Sequence, residues 1–137
     1  DDATLQGVNI LLAEDNDLNL EIAQFLLENA GATVTAARNG QEAVDIFAAS
    51  RPGEFDAILM DVMMPVMDGL EAARYIRWSN KENARDIPII AMTANAFTED
   101  RRRVLEAGMN EHLAKPLESE VLIKTIANYC GKVDHFK

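Results

Sequence analysis

Short apolar segments alternate along the chain with longer segments in which apolar and polar residues recur at helical spacing. The short segments lack helical periodicity and are rich in aliphatic side chains, which is typical of strands buried on both faces of a parallel sheet. A β-α unit repeated five times predicts a doubly wound α/β fold of the flavodoxin-like kind, with strand order 2-1-3-4-5. The predicted strands cover residues 8–13, 33–37, 57–61, 87–92 and 111–114.

The first two helices have recognisable start and stop signals. Asn16 and Asp17 are favoured N-cap residues before the first helix, and Gly31 is a stop signal after it. Asn39-Gly40 is a turn signal before the second helix. One apolar face of an amphipathic first helix is predicted to consist of Leu18, Ile22, Phe25 and Leu26.

A length of 137 residues predicts a single domain with a real hydrophobic core. We expect residues 1–7 to be a flexible lead-in, residues 8–130 to form the domain and residues 131–137 to be a tail. The start at Asp1 without Met agrees with a segment cut from a longer polypeptide.

The charge and cysteine content narrow the possible functions. Acidic residues outnumber basic ones 23 to 13, which argues against nucleic-acid binding because that binding depends on neutralising phosphates. A single cysteine excludes an internal disulfide and fits a reducing compartment. No apolar run of about 18 residues is present, so we expect no membrane-spanning helix, no signal peptide and no direct membrane contact.

Polar side chains stand at the carboxyl ends of four predicted strands. Glu14 and Asp15 follow the first strand, Asp61 ends the third, Thr93 follows the fourth and Lys115 follows the fifth. All these ends meet at one edge of a parallel sheet, where open α/β folds bind ligands. Crowded carboxylates repel one another unless a cation neutralises them, and a few hard oxygen ligands suit Mg²⁺.

Asp61 has two possible interpretations when it is considered alone. It could cap the helix that follows, since Asp is a favoured N-cap residue. It could also be a nucleophile that forms an aspartyl phosphate, with a cation, Lys115 and Thr93 stabilising the phosphoryl oxygens. The combination of polar groups at the other strand ends favours the second interpretation.

Four motifs stand at the ends of the predicted strands: L-L-A-E-D-N (11–16), L-M-D-V-M-M-P-V-M-D-G (59–69), A-M-T-A-N-A (91–96) and H-L-A-K-P (112–116). Together they give the chain a close resemblance to the receiver domains of two-component response regulators over about residues 6–129. Phrases such as E-D-N-D-L-N, V-M-D-G-L-E-A-A-R and M-T-A-N-A-F are most similar to receivers fused to hybrid sensor histidine kinases.

The resemblance implies a role for each matching residue. Asp61 would be the phosphoacceptor, and Asp15 and Asp61 would hold Mg²⁺ (or Mn²⁺) directly. Glu14 would contribute mainly through water, and Met63 would contribute its backbone carbonyl. The residues in contact with the phosphoryl group would be Thr93, Ala94 and Lys115.

The resemblance also implies a switch formed by Thr93 and the residue three positions before Lys115. That residue is usually Tyr or Phe in the family, and here it is His112. Because imidazole is smaller and polar, we expect weaker or pH-sensitive coupling, and a relay more than a strong switch. The alternative is that His112 is simply a partly exposed strand residue.

The function predicted from this resemblance is that of a phosphorelay receiver. It would take a phosphoryl group from a phosphohistidine of a histidine kinase and pass it to a His-containing phosphotransfer partner. We expect the isolated domain to be monomeric and cytoplasmic, on its own or as the cytoplasmic part of a membrane-anchored sensor kinase. The expected partner surface consists of Leu18, Asn19, Ile22 and Pro116.

Three alternatives remain open from the sequence. The chain could be a stand-alone response regulator that signals by conformational change, or a docking domain that never binds phosphate; the complete Asp, Lys and Thr set argues against the latter. It could also be a phosphatase with an Asp nucleophile of the haloacid-dehalogenase type. Such enzymes carry an acid two residues after the nucleophile, where this chain has Met63, so we expect a self-phosphorylating acceptor more than a turnover enzyme.

Overall fold

The computed structural model describes residues 4–94 and 98–130, in which strands and helices alternate. The strands form one parallel sheet in the order β2-β1-β3-β4-β5, so the predicted fold class and strand order are confirmed. The strands are β1 (Asn9–Ala13), β2 (Thr33–Ala37), β3 (Ala57–Asp61), β4 (Ile89–Thr93) and β5 (Glu111–Ala114). The helices are α1 (Asp17–Asn29), α2 (Gly40–Ala49), α3 (Gly69–Trp78), α4 (Thr98–Glu106) and α5 (Ser119–Cys130).

The sheet has a separate hydrophobic core on each face. Side chains of α1 and α5, such as Leu27 and Ile126, pack on one face. Side chains of α2, α3 and α4, such as Phe47 and Ile76, pack on the other. Both central strands β3 and β4 are buried throughout, which explains why their sequences are continuous apolar runs.

The register of the strands brings the predicted polar residues to one edge. Asp61 pairs with Met92, one residue before Thr93. Thr93 pairs with Ala114, one residue before Lys115. The carboxyl ends of three neighbouring strands therefore present an acid, a hydroxyl and an amine side by side.

The start of β4 differs from the prediction by two residues. The strand was predicted from residue 87, but it begins at Ile89. Pro88 lacks an N–H group and contributes only its carbonyl, which accepts a hydrogen bond from the Ile58 N–H at 2.9 Å.

The prediction for the apolar face of α1 is wrong in its main residues. Leu18, Ile22 and Phe25 are exposed, with 64%, 44% and 65% of their surface accessible. The buried face consists of Leu20, Ala23 and Leu27, which have the same helical spacing. The helix therefore has apolar side chains on two faces. The face that carries Leu18, Ile22 and Phe25 points to solvent.

The packed chain also begins before the predicted domain boundary at residue 8. Leu5 is fully buried in the core on the α1–α5 face, and its N–H donates to the Ala30 carbonyl at 2.9 Å. The expectation of a flexible lead-in is therefore wrong for Leu5. Residues 1–3 of that lead-in, residues 95–96 of the fourth-strand motif and the tail 131–137 lie outside the described residues.

The described helices include none that is both long and apolar enough to cross a membrane.

Candidate functional site

Three carboxylates meet at the carboxyl edge of the sheet, as predicted. Glu14, Asp15 and Asp61 each place one oxygen within 4.8 Å of the others. Glu14 and Asp61 are buried, with 1% and 4% of their surface accessible, whereas Asp15 is exposed. The cluster is therefore open to solvent on one side, and its hard oxygen donors suit a divalent cation such as Mg²⁺.

Asp61 does not cap the following helix. That helix, α3, begins at Gly69, and its N-cap is Asp68, whose side chain accepts from the Glu71 N–H at 2.8 Å. The Asp61 carboxylate instead accepts hydrogen bonds from the Lys115 Nζ and from the Met63 N–H. The capping alternative for Asp61 is thereby excluded.

Lys115 is the cation beside the carboxylates. Its Nζ donates to Asp61 Oδ2 at 2.9 Å and lies 3.1 Å from Glu14 Oε1. One positive charge faces three carboxylates, so the cluster keeps a net negative charge that attracts a further cation.

The pKa values of two of these groups are shifted by their surroundings. Burial raises the pKa of Glu14 above its usual value, although the hydrogen bond from Lys115 and the backbone N–H of Asn16 oppose the shift. For Lys115, burial lowers the pKa, but hydrogen bonds and charges of Asp61 and Glu14 outweigh burial, so the pKa is raised overall. Lys115 is therefore protonated at neutral pH.

Met63 contributes backbone to the site. Its N–H lies 3.3 Å from Asp61 Oδ1, while its side chain is exposed. The segment after β3 therefore turns back over the Asp61 carboxylate. This contact brings the Met63 N–H next to the acidic cluster, and the role of the Met63 carbonyl as a metal ligand stays a prediction.

Thr93 and Ala94 lie at the end of the neighbouring strand β4. Thr93 is buried and Ala94 is exposed. Together with Met63 and Arg103, both line a cavity of about 220 Å³ beside the β3 end. Thr93 and Ala94 therefore lie at an open space rather than in a closed core, whereas Lys115, the third residue predicted to contact the phosphoryl group, does not line this cavity.

His112 lies on β5, half-buried, in register with Ala91 and thus two residues from the level of Thr93. Its neighbour Leu113 points into the α1–α5 core, so the imidazole lies on the opposite face of the sheet. Its Nδ1 is inaccessible to solvent and has no hydrogen-bond partner among the described residues. Its role as a switch stays a prediction.

The predicted partner residues lie close to the acidic cluster. Leu18 is exposed on the first turn of α1. A small cavity of about 70 Å³ lies between α1 and the segment that connects β5 to α5. It is lined by Glu14, Asn19, Ile22, Met92, Lys115, Pro116 and Leu117.

One contact near the site was missed by the sequence analysis. Asn39-Gly40 was interpreted as a turn, but Asn39 is the N-cap of α2, and the Gly40 N–H donates to the Met67 carbonyl at 2.9 Å. The only signal in the sequence is the glycine itself, since a conformationally free residue also permits close backbone approach.

Comparison with known proteins agrees with this geometry. Residues 10–127 match the response regulator receiver domain family. The sensor protein GacS of Pseudomonas syringae pv. syringae is 39% identical over 123 residues, which are 89% of this chain but only 13% of GacS. The chain therefore spans a small part of the sensor protein that it matches.

Two solved structures extend the comparison. The receiver domain of the sensor histidine kinase PA1611 from Pseudomonas aeruginosa PAO1, which has a magnesium ion in its active-site cleft, is 43% identical with a TM-score of 0.82. That match covers 92% of this chain and 99% of the PA1611 receiver. A chain of the complex between the Saccharomyces cerevisiae phosphotransfer protein Ypd1 and the Ssk1 receiver is 31% identical, with a TM-score of 0.79 and coverage of 96% and 92%. This chain therefore belongs to the response regulator receiver domains, and the relatives that it resembles include the receivers of sensor histidine kinases.

Proposed function

We propose that this domain accepts a phosphoryl group from a phosphohistidine onto Asp61 and passes it to a histidine of a phosphotransfer partner. The observation that carries the proposal is the buried Asp61 carboxylate, with Lys115 Nζ at 2.9 Å and two more carboxylates within 4.8 Å. A purely structural ion pair would not need the two additional acids.

The proposed transfer is a displacement at phosphorus. A carboxylate oxygen of Asp61 attacks the phosphorus atom, a P–O bond forms and the P–N bond of the phosphohistidine breaks. The ring nitrogen keeps the bonding electron pair, and the imidazole, protonated on its other nitrogen, leaves as a neutral group. Lys115 holds Asp61 in place and offers positive charge to the phosphoryl oxygens.

Asp15, Asp61 and the Met63 carbonyl would hold Mg²⁺ (or Mn²⁺) directly, and Glu14 would act mainly through water. The bound cation would neutralise charge on the phosphoryl oxygens. The magnesium ion in the PA1611 receiver supports this proposal.

Replacement of the acceptor tests the proposal. Asp61→Asn keeps the shape of the side chain but removes the nucleophilic carboxylate, so labelling by a small phosphodonor such as acetyl phosphate in Mg²⁺ should be abolished. Asp56→Asn is the matched control. Asp56 lies one residue before the start of β3, at the opposite edge of the sheet, and its side chain accepts a hydrogen bond from the Asn9 N–H. Undiminished labelling of Asp61→Asn would overturn the assignment.

The exposed stripe of α1 supports a docking role for this helix. Leu18, Ile22 and Phe25 form an apolar surface beside the cavity that contains Lys115. An exposed apolar patch near a reactive group is typical of a protein contact site. The relative found in complex with the phosphotransfer protein Ypd1 favours a partner of that class.

A matched pair of substitutions tests this surface. Ile22 and Tyr75 are equally exposed, at 44% and 45%, but Tyr75 lies on α3. In phosphotransfer profiling against purified histidine phosphotransfer domains, Ile22→Ser should slow transfer by about tenfold and Tyr75→Ser should not. Labelling by acetyl phosphate should be unchanged in both variants. Equal transfer by the two variants would argue against docking on α1.

The phosphatase alternative finds no support at the site. Met63, two residues after Asp61, has an exposed thioether side chain that offers no proton to a leaving group. We therefore expect no rapid turnover of an aryl phosphate in a steady-state assay. Multiple fast turnovers would favour a hydrolase.

A further inference from the structure

The backbone that follows Asp61 is held in an unusual conformation. We refer to residues 62–68, which connect β3 to α3, as the 62–68 loop. Val66 has a φ of 71°, which is strained for a β-branched residue, and the Met67 N–H donates to the Pro65 carbonyl at 2.7 Å around it. A strained turn of this kind persists only where surrounding contacts hold it.

The first of these contacts lies at the end of the loop itself. The Gly69 N–H donates to the Val62 carbonyl at 2.9 Å, which closes the loop at its base. A Cβ at Gly69 would lie 2.2 Å from the Asp61 carbonyl oxygen, so the loop returns to the backbone of the acceptor residue. The base of the loop therefore packs directly against the backbone of Asp61.

The second contact comes from α2, more than 20 residues earlier in the chain. The first N–H groups of a helix have no partner within the helix. The Asn39 side chain accepts the Glu42 N–H at 2.8 Å, whereas the Gly40 N–H donates to the Met67 carbonyl of the loop at 2.9 Å. The N-terminus of α2 therefore holds the far side of the 62–68 loop.

This contact requires glycine at position 40. A Cβ there would lie 2.2 Å from the Met67 carbonyl oxygen and 3.0 Å from that of Asp68. Both atoms belong to the backbone, so a rotamer change cannot relieve the overlap. Any side chain at this position must displace the 62–68 loop.

We propose that Gly40 is a positioning residue for the metal site, acting through the 62–68 loop. Displacement of the loop would shift Met63, whose N–H lies 3.3 Å from Asp61 Oδ1 and whose carbonyl is a proposed ligand. The inference rests on the proposed function, because it concerns the same Mg²⁺ site. Gly40 itself lies on α2 and has no role in the phosphoryl-transfer step.

Direct titration of Mg²⁺ tests the proposal without an activity assay. By isothermal titration calorimetry well below the melting temperature, Gly40→Ala should weaken Mg²⁺ binding by about tenfold, as loss of a supporting contact around a metal typically does. Gly108→Ala is the matched control, since its Cβ would lie 3.0 Å from Arg77 Cγ near the amino edge of the sheet. That variant should unfold at a lower temperature but keep the wild-type affinity for Mg²⁺.

A second measurement uses the wild-type protein, so it does not depend on the folding of a variant. Coupling between two sites is reciprocal. Saturation with Mg²⁺ should therefore shift the ¹⁵N resonance of the Gly40 amide and slow its hydrogen exchange severalfold. The Gly108 amide, which donates to the Leu105 carbonyl at 3.0 Å, should not respond.

The outcomes distinguish this inference from the proposed function. If wild type binds Mg²⁺ and Gly40→Ala binds it equally well, or if the Gly40 amide does not respond to Mg²⁺, the positioning role is overturned and the metal site stands. If wild type binds no Mg²⁺ at all, the proposed metal site fails and this inference fails with it.

Discussion

Two basic side chains at opposite edges of the sheet are stabilised in different ways. At the carboxyl edge, Lys115 faces two buried carboxylates, and Asp15 adds a third nearby. At the amino edge, the half-buried Arg77 of α3 donates to three neutral oxygens instead. These are the carbonyls of Gly108 and Ala84, both at 2.8 Å, and Asn110 Oδ1 at 2.9 Å.

Each guanidinium nitrogen of Arg77 donates to an oxygen acceptor, whereas the lysine cluster contains more acids than cations. Asn110 Oδ1 also accepts the Ile89 N–H at 2.8 Å, so the amide oxygen links Arg77 to the start of β4. Burial lowers the pKa of Arg77, and the charge of Asp86 only partly offsets that effect. The pKa of Lys115 is raised by its acidic partners. The three hydrogen bonds from Arg77 to neutral oxygens link parts of the fold, whereas the excess of negative charge around Lys115 attracts a further cation.

Replacement of Arg77 should have the largest effect on stability. Arg77→Met keeps much of the apolar stem but removes all three hydrogen bonds, so it should destabilise the fold by about 3 kcal/mol. The affinity for Mg²⁺ should stay within about twofold of wild type, because the network lies at the edge remote from the acidic cluster. Urea denaturation and calorimetric titration measure the two quantities. A large loss of Mg²⁺ affinity would show that the two edges are coupled.

Replacement of Lys115 should have a smaller effect that depends on Mg²⁺. Lys115→Met leaves Glu14 and Asp61 without their cation. It should cost about 2 kcal/mol in EDTA, which is typical for loss of a hydrogen bond to a charged group and lies below the cost of breaking a fully buried pair because the Lys115 side chain is partly exposed. Added Mg²⁺ should recover much of this loss, because removal of the ammonium charge lets the carboxylates bind the cation more tightly than in wild type, and tighter binding stabilises the folded variant more. Urea denaturation with and without Mg²⁺ is the measurement. If the loss in stability were the same in EDTA and in Mg²⁺, the cluster would be a structural ion pair like the network of Arg77.

Replacement of Glu14 should have the smallest effect on stability, and it should stabilise the fold rather than destabilise it. Burial raises the pKa of Glu14 in the folded state, so the folded protein binds a proton at Glu14 more tightly than the unfolded chain does. The stabilisation that comes from this proton is fully present below the usual Glu14 pKa of 4.5. It is lost as pH rises through the folded-state pKa. Glu14→Gln should therefore be more stable than wild type at pH 7 in EDTA. The difference should disappear below about pH 4.5.

Urea denaturation at both pH values measures this difference. Glu82→Gln, at an exposed position, serves as the control and should change stability little at either pH. A Glu14→Gln variant that is less stable than wild type at pH 7 would contradict the expectation that burial of the Glu14 carboxylate destabilises the fold.

The candidate site could be predicted from local sequence because each of its main members either ends a strand or directly follows one. Once the strands are recognised as parallel, Asp61, Thr93 and Lys115 must meet at one edge. The arginine network was not predicted. Arg77 and Asn110 are 33 residues apart, and no periodic pattern in the sequence connects them. An arginine on a helix is also ordinarily expected to lie at the surface.

The sequence by itself determined the order of strands and helices, the doubly wound sheet and the polar residues at its carboxyl edge. It could do so because burial on both faces and helical spacing are local, periodic signals. Only the tertiary structure decided which apolar stripe of α1 is buried and that Leu5 joins the core. It also decided that Gly40 touches the 62–68 loop and that Arg77 links three segments. These features depend on close packing between distant parts of the chain, which no local pattern records.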